Sequence, residues 1–241
     1  MALDAFNLYS GVFMKIKNPL RTLSRFEWIL WIISLAVVTV SFLLSPSKDF
    51  LTLSASLIGV SALIFVSKGL VFGQVLTVVF AVFYGTVSFF FTYYGEMFTY
   101  LCMSAPSAIT AIISWLKNPY GETNVVKVAG LTVKKTALML LLVGGVTVGF
   151  YFLLRALGNA NLTISTVSVA TSALASALTI LRSPLYAIAY SANDVVLIVL
   201  WILASIENPA YIPMIFCFVM FLANDIYGFI NWSKLKREQS S

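Results

Sequence analysis

Eight stretches of this chain run for 17–22 residues with almost no charge. A helix needs roughly 17–25 apolar residues to cross a bilayer, and nothing else constrains the fold as strongly. The stretches are Trp28–Leu44, Phe50–Val66, Leu70–Phe91, Met97–Leu116, Thr136–Arg155, Leu162–Leu181, Leu185–Ser205 and Tyr211–Trp232, numbered here as spans one to eight. Only 10% of the residues are charged and 60% are hydrophobic, against about 25% charged in a soluble domain. The expected fold class is therefore an all-α polytopic membrane protein with eight transmembrane helices. The spans leave no room for a sizeable soluble domain.

The charges orient the spans. Basic residues favour the cytoplasmic side. With the N-terminus inside, the cytoplasmic stretches hold Lys15, Lys17, Arg21, Arg25, Lys68, Lys117, Lys127, Lys134, Lys135, Arg182, Lys234, Lys236 and Arg237, and the outer stretches keep Lys48 and Arg155, a ratio of 13 to 2. Both termini are expected in the cytoplasm. The net charge of +6 belongs to these loops and does not point to nucleic acid. No histidine is present, which excludes histidine proton relays and histidine metal ligands. Cys102 and Cys217 fall inside apolar runs and read as small buried residues. In residues 1–27, Phe6, Tyr9, Phe13, Ile16 and Leu20 recur at helical spacing among lysines and arginines, a pattern that fits an interfacial helix.

The chain repeats itself. Ala111-Ile-Ile-Ser-Trp-Leu-Lys117 ends span four and Gly228-Phe-Ile-Asn-Trp-Ser-Lys234 ends span eight, at an offset of 117 residues. Lys68 to Phe72 matches Arg182 to Tyr186 at an offset of 114. Spans two to four (50–116) and six to eight (162–232) are thus two triplets running the same way. Residues 117–161 supply a cytoplasmic loop and the odd linker span that makes a parallel duplication possible. Residues 28–44 add one helix outside the repeat, and 233–241 form a cytoplasmic tail. Ser54, Ser61, Ser165, Ser168, Ser172 and Ser176 read as packing residues that let helices approach.

Two Asn-Asp pairs interrupt the last two spans: Asn193-Asp194 and Asn224-Asp225. An ionisable residue in hydrocarbon costs roughly 2.5–3.5 kcal/mol on insertion scales and marks a bundle interior or a watery cavity. Asn193 lies about 13 Å from its cytoplasmic end and Asp225 about 12 Å from its own, at about 1.5 Å per residue. Both pairs share one depth, slightly inside the midplane. Tyr186, Tyr190, Asn193, Leu197 and Trp201 line one face of span seven, and Asn224, Gly228 and Asn231 share a face of span eight. Neighbouring helix residues diverge by about 100°, so one member of each pair is expected to face ligand and the other a helix. The offsets put Val79 and Phe80 opposite Asn193 and Asp194, and Ser107 and Ala108 opposite Asn224 and Asp225. Polar contributors from the first triplet include Gln74. Aromatic faces stack flat rings, and amides or carboxylates bond ring amides and sugar hydroxyls. No lysine or arginine lies deep in a span, so a phosphate would lack a partner. A neutral or cationic flat solute fits.

The stretch Asn224-Asp-Ile-Tyr-Gly-Phe-Ile-Asn-Trp232 resembles the signature of the PnuC family of vitamin transporters. The aromatic helix around Tyr190 and Asn193, and the three-one-three arrangement of spans, resemble that family too. The resemblance implies a SWEET-like fold, a homotrimer, and uptake of nicotinamide riboside across the bacterial inner membrane. It also implies facilitated diffusion, with a cytosolic kinase trapping the substrate; related members carry thiamine, riboflavin or deoxynucleosides. No cofactor is called for. On this reading Asn193, Asn224 and Asn231 hydrogen-bond the solute and Tyr190 and Trp201 stack on it. Asp194 and Asp225 serve charge or helix bonding, with Tyr186, Tyr227 and Gln74 completing the set. One rival is a proton symporter using Asp194 and Asp225 as a relay. Another is an intramembrane aspartyl enzyme, which needs both aspartates in one site; here separate roles are expected.

Overall fold

Side-chain caps start the helices where the apolar runs begin. The computed structural model describes residues 18–46, 48–90, 94–159 and 161–240. Ser24 and Glu27 form a reciprocal capping box at the head of α1 (Arg25–Leu44), satisfying two orphan amides. Asp49 caps α2 (Phe50–Ser67) through the amides of Leu51 and Thr52. α3 (Val71–Phe90) follows after a tight turn. Span four is not one regular helix: α4 (Tyr94–Phe98) passes through a π-helical segment, Thr99–Ser104, into α5 (Ala105–Leu116). Pro106 explains the break. Its ring has no N–H and would clash with the carbonyl four residues back, and the wider π turn relieves this. Thr132 caps α6 (Val133–Ala156). α7 (Leu162–Ile180), α8 (Leu185–Glu207) and α9 (Ile212–Glu238) complete the chain.

The eight expected spans thus appear as eight helical rods. Among the described residues, seven stretches are long and apolar enough to cross a membrane, and Val71–Thr86 of α3 adds a shorter one. No sheet forms among the described residues, which show only isolated bridges, Leu70 with Val125 and Pro119 with Val126. The chain is a multi-pass membrane protein. Of the proposed interfacial helix, residues 1–17 lie outside the described residues; Leu20 falls in a short 3-10 turn, Pro19–Thr22.

The duplicated pattern becomes a duplicated set of bonds. After α2 the chain turns through Gly69 at φ +71°, and after α7 through Arg182 at φ +59°. Leu70 N–H donates to Phe65 O in the first turn and Ser183 N–H to Leu178 O in the second. These pairs stand 113 residues apart, one fewer than the sequence match suggested, because glycine rather than lysine is the counterpart of Arg182. The loop from α5 to α6 ties both turns together: Val126 N–H donates to Gly69 O and Ala129 N–H to Arg182 O.

The triplets also cross over. Trp115 of α5 donates its indole N–H to Thr179 O of α7, and Trp232 of α9 donates to Val66 O of α2, both at 3.0 Å. Ser114 repeats the pattern toward Ile180 O, and Asn231 toward Ser67 O. The last helix of each triplet therefore packs on the first helix of the other. The two indoles meet with ring centroids 5.3 Å apart. Outside this pairing, α1 packs on α2 and α9, and α6 packs on α7.

Candidate functional site

Two adjoining cavities lie between the triplets. The central one, about 100 Å³, is walled by α2, α3, the π segment, α5, α7, α8 and α9. The larger, about 500 Å³, runs from it to the opposite end of the bundle from the tryptophan pair, reaching the exposed connections at Leu157–Gly158 and Glu207–Asn208. Asn193, Leu197, Ser172, Tyr100, Ser104 and Phe218 line both. On the other side Trp115, Trp232 and Tyr186 seal the central cavity: each is at most 1% exposed, and Tyr186 meets the Trp232 ring edge-on at 4.8 Å.

The aromatic stripe of α8 forms the common wall. Tyr186, Tyr190, Asn193 and Leu197 face the central cavity; Asn193, Leu197 and Trp201 face the larger one. Asn193 Oδ1 accepts hydrogen bonds from Ser168 at 3.0 Å and Thr171 at 2.9 Å. That fixes the amide orientation and leaves its NH₂ for a solute. The Tyr190 hydroxyl lies 3.2 Å from Ser176 Oγ. Trp201 Nε1 is buried with no acceptor among the described residues, a ready donor at the larger cavity. Gln74 of α3 also lines the central cavity.

Three candidates lie elsewhere. Asn224 donates to Ser34 Oγ of α1 at 3.0 Å and to Met220 O at 2.7 Å. Asn231 is committed to Ser67 O. Tyr227 donates to Glu27 Oε1, which also accepts from Lys68 Nζ at 3.1 Å. None of the three lines either cavity. Their stripe faces α1 and α2, and the 100° step to the next residue turns Asp225 inward.

The expected separation of the aspartates is overturned. Asp194 and Asp225 both line the central cavity, one from α8 and one from α9. The α7 serines expected to serve helix packing also reach the cavities: Ser172 and Ser176 line the central one, and Ser165, Ser168 and Ser172 the larger one. Sequence reading also missed Gly59, Phe80, Phe221, Tyr100 and Ser104 as wall residues. The corrected offset of 113 would have found Phe80, which stands where Asn193 stands in the second triplet; Ala81 matches Asp194.

A buried, aromatic and amide-lined chamber between two parallel helix triplets defines a membrane transporter of small organic solutes. The chain belongs to the nicotinamide mononucleotide transporter family, whose model matches residues 49–234. It is 30% identical over 225 residues to the nicotinamide riboside transporter PnuC of Neisseria mucosa, covering 90% of this chain and 84% of that protein. The PnuC of Haemophilus influenzae is 25% identical over 210 residues, covering 86% of this chain and 89% of that one. A crystal structure of the vitamin B3 transporter PnuC superposes with a TM-score of 0.76 at 29% identity, over 90% of this chain and 94% of the other. Membership in a transporter family excludes the enzyme alternative, although the two aspartates do share a site.

Proposed function

We propose that this chain carries nicotinamide riboside across the bacterial inner membrane by facilitated diffusion, with a cytosolic kinase trapping the solute by phosphorylation. The lining of the two cavities carries the reading. It offers aromatic faces, amides and hydroxyls, but, among the described residues, no lysine or arginine. A phosphate lacks a partner there, which favours the riboside over the mononucleotide of the family's description. Tyr186 and Tyr190 serve as ring faces, Gln74 and the free half of Asn193 as amide partners, and Ser172, Ser176 and Thr179 as ribose contacts. Asn224, Asn231 and Tyr227 hold α9 against α1 and α2.

Both termini lie in the cytoplasm, supported by the 13 to 2 distribution of basic residues. The larger cavity then opens outward while the tryptophan pair closes the inner side. The transporter is a homotrimer, and α6 offers the contact: Gly145 and Gly149 sit four residues apart with nothing within 4 Å of an added Cβ, a spacing that lets helices approach closely.

Uptake into liposomes holding the purified protein tests this reading. Labelled nicotinamide riboside is expected to equilibrate without accumulating, indifferent to a pH gradient, and to accumulate once a riboside kinase and ATP are enclosed. Excess unlabelled riboside competes; thiamine, riboflavin and deoxynucleosides do not. Accumulation driven by a pH gradient alone would favour the proton symporter, and competition by another vitamin would reassign the substrate.

A further inference from the structure

The central cavity contains a feature that stacking and amide bonding do not use. Asp194 of α8 and Asp225 of α9 are 3% and 4% exposed and both line it. Two ionised carboxylates sharing one small buried cavity repel each other, so at least one of the pair is held protonated. A pair that holds just one carries a single negative charge. Asp194 Oδ2 is buried with no hydrogen-bond partner among the described residues.

Among the described residues no protein cation answers that charge, so the empty site can hold both protons and release one when a cation enters. α8 presents Tyr186 and Tyr190, α9 presents Cys217, and α2 presents Ser56 and Gly59. From α3 come Gln74 and Thr77, from α5 Ser107, and from α7 Ser176 and Thr179. Among the described residues, no cationic side chain lines either cavity. A buried charge without a counterion is costly, and the aromatic faces beside it attract cations as well. A flat organic cation would meet both features.

We propose that the Asp194–Asp225 pair is the counterion for a cationic heteroaromatic ring, so that the site takes a pyridinium nucleoside and rejects the uncharged form of the same molecule. This deepens the nicotinamide riboside reading and rests on it. The reduced dihydropyridine form of nicotinamide riboside keeps the ribose and the carboxamide and loses only the charge, which makes it the matched probe.

Calorimetry on the purified full chain, titrated with each form, decides the matter. The oxidised cation is expected to bind at least tenfold more tightly than the reduced form. Asp194→Asn or Asp225→Asn alone should keep that preference within about threefold, because an amide replaces the protonated carboxyl and one carboxylate remains. The double variant should bind both forms alike, and its melting temperature shows whether it folds. Equal affinities in the wild type overturn the proposal without any variant. A preference that survives in the folded double variant overturns it as well, and loss of preference in a single variant overturns the one-charge pair. Binding of neither form by the wild type overturns the riboside reading itself.

Discussion

At the scale of single residues, neighbours in sequence divide between binding and support. Asn224 and Asp225 are adjacent, yet the first is bound to Ser34 of α1 and the second lines the central cavity. Their common depth was readable from sequence, because helical rise converts residue counts into distance. Their division was not, because it depends on α1, a helix outside the repeat whose position no periodicity encodes. Substitutions should separate the two roles. Asn224→Ala is expected to lower stability by about 1 kcal/mol, the scale of an interhelical bond in a membrane, and to leave riboside affinity within twofold. Gly59→Ala should do the reverse. A Cβ there would stand 2.7 Å from Phe221 Cζ and 3.2 Å from Phe80 Cε2, so both rings must shift into the cavity they line. Affinity should fall tenfold or more with little change in melting temperature. Calorimetry and thermal unfolding of the two variants check both halves; unchanged affinity in Gly59→Ala would show that the rings yield elsewhere.

At the scale of elements, the departures from plain helices have chemical causes. The π segment at Thr99–Ser104 places Tyr100 and Ser104 on both cavities. Pro106 was its visible signal, but proline near a helix start is compatible with ordinary geometry, so the sequence alone did not demand a wider turn. α6 departs in another way. Most of it is uncovered within the chain, with Leu138, Leu140, Leu141, Leu142, Val148 and Phe152 all exposed. Hydrocarbon can cover leucine as well as protein can, so exposure alone says nothing of a partner. The bare Gly145 and Gly149 are more specific, because lipid gains nothing from a flat helix surface. If the proposed homotrimer forms through them, replacing both with leucine reduces the mass of the detergent-solubilised particle from three chains to one by light scattering, with uptake per chain retained. A particle that stays trimeric would move the contact to another helix.

At the scale of the whole molecule, the state of the chamber is set by what closes each end. Repeated bonds from Trp115 and Trp232 close one end, and the larger cavity leaves the other accessible. A cysteine at Leu200, on the wall of the larger cavity, reports this directly in a Cys102→Ser background, since Cys217 is buried as expected but Cys102, against the sequence expectation, is exposed. A membrane-impermeant maleimide added to intact cells is expected to label it, and riboside to slow the reaction. Labelling confined to inverted vesicles would reverse the orientation drawn from the basic residues. The duplicated architecture was legible because Trp115 and Trp232 lie in matching stretches; the exchange of partners between triplets was not, because either pairing satisfies the same periodicity. The contacts of α1 have a further consequence, for synthesis. Glu27 and Ser34 emerge in the first helix, but Tyr227 and Asn224 follow 200 and 190 residues later. At about 5–20 residues per second, the wait is roughly 10–40 s. During that interval Glu27 has its Ser24 cap and then Lys68, and Ser34 has the Leu30 carbonyl, but neither has its α9 partner, so the last helix to be made is the one that completes the hold on the first.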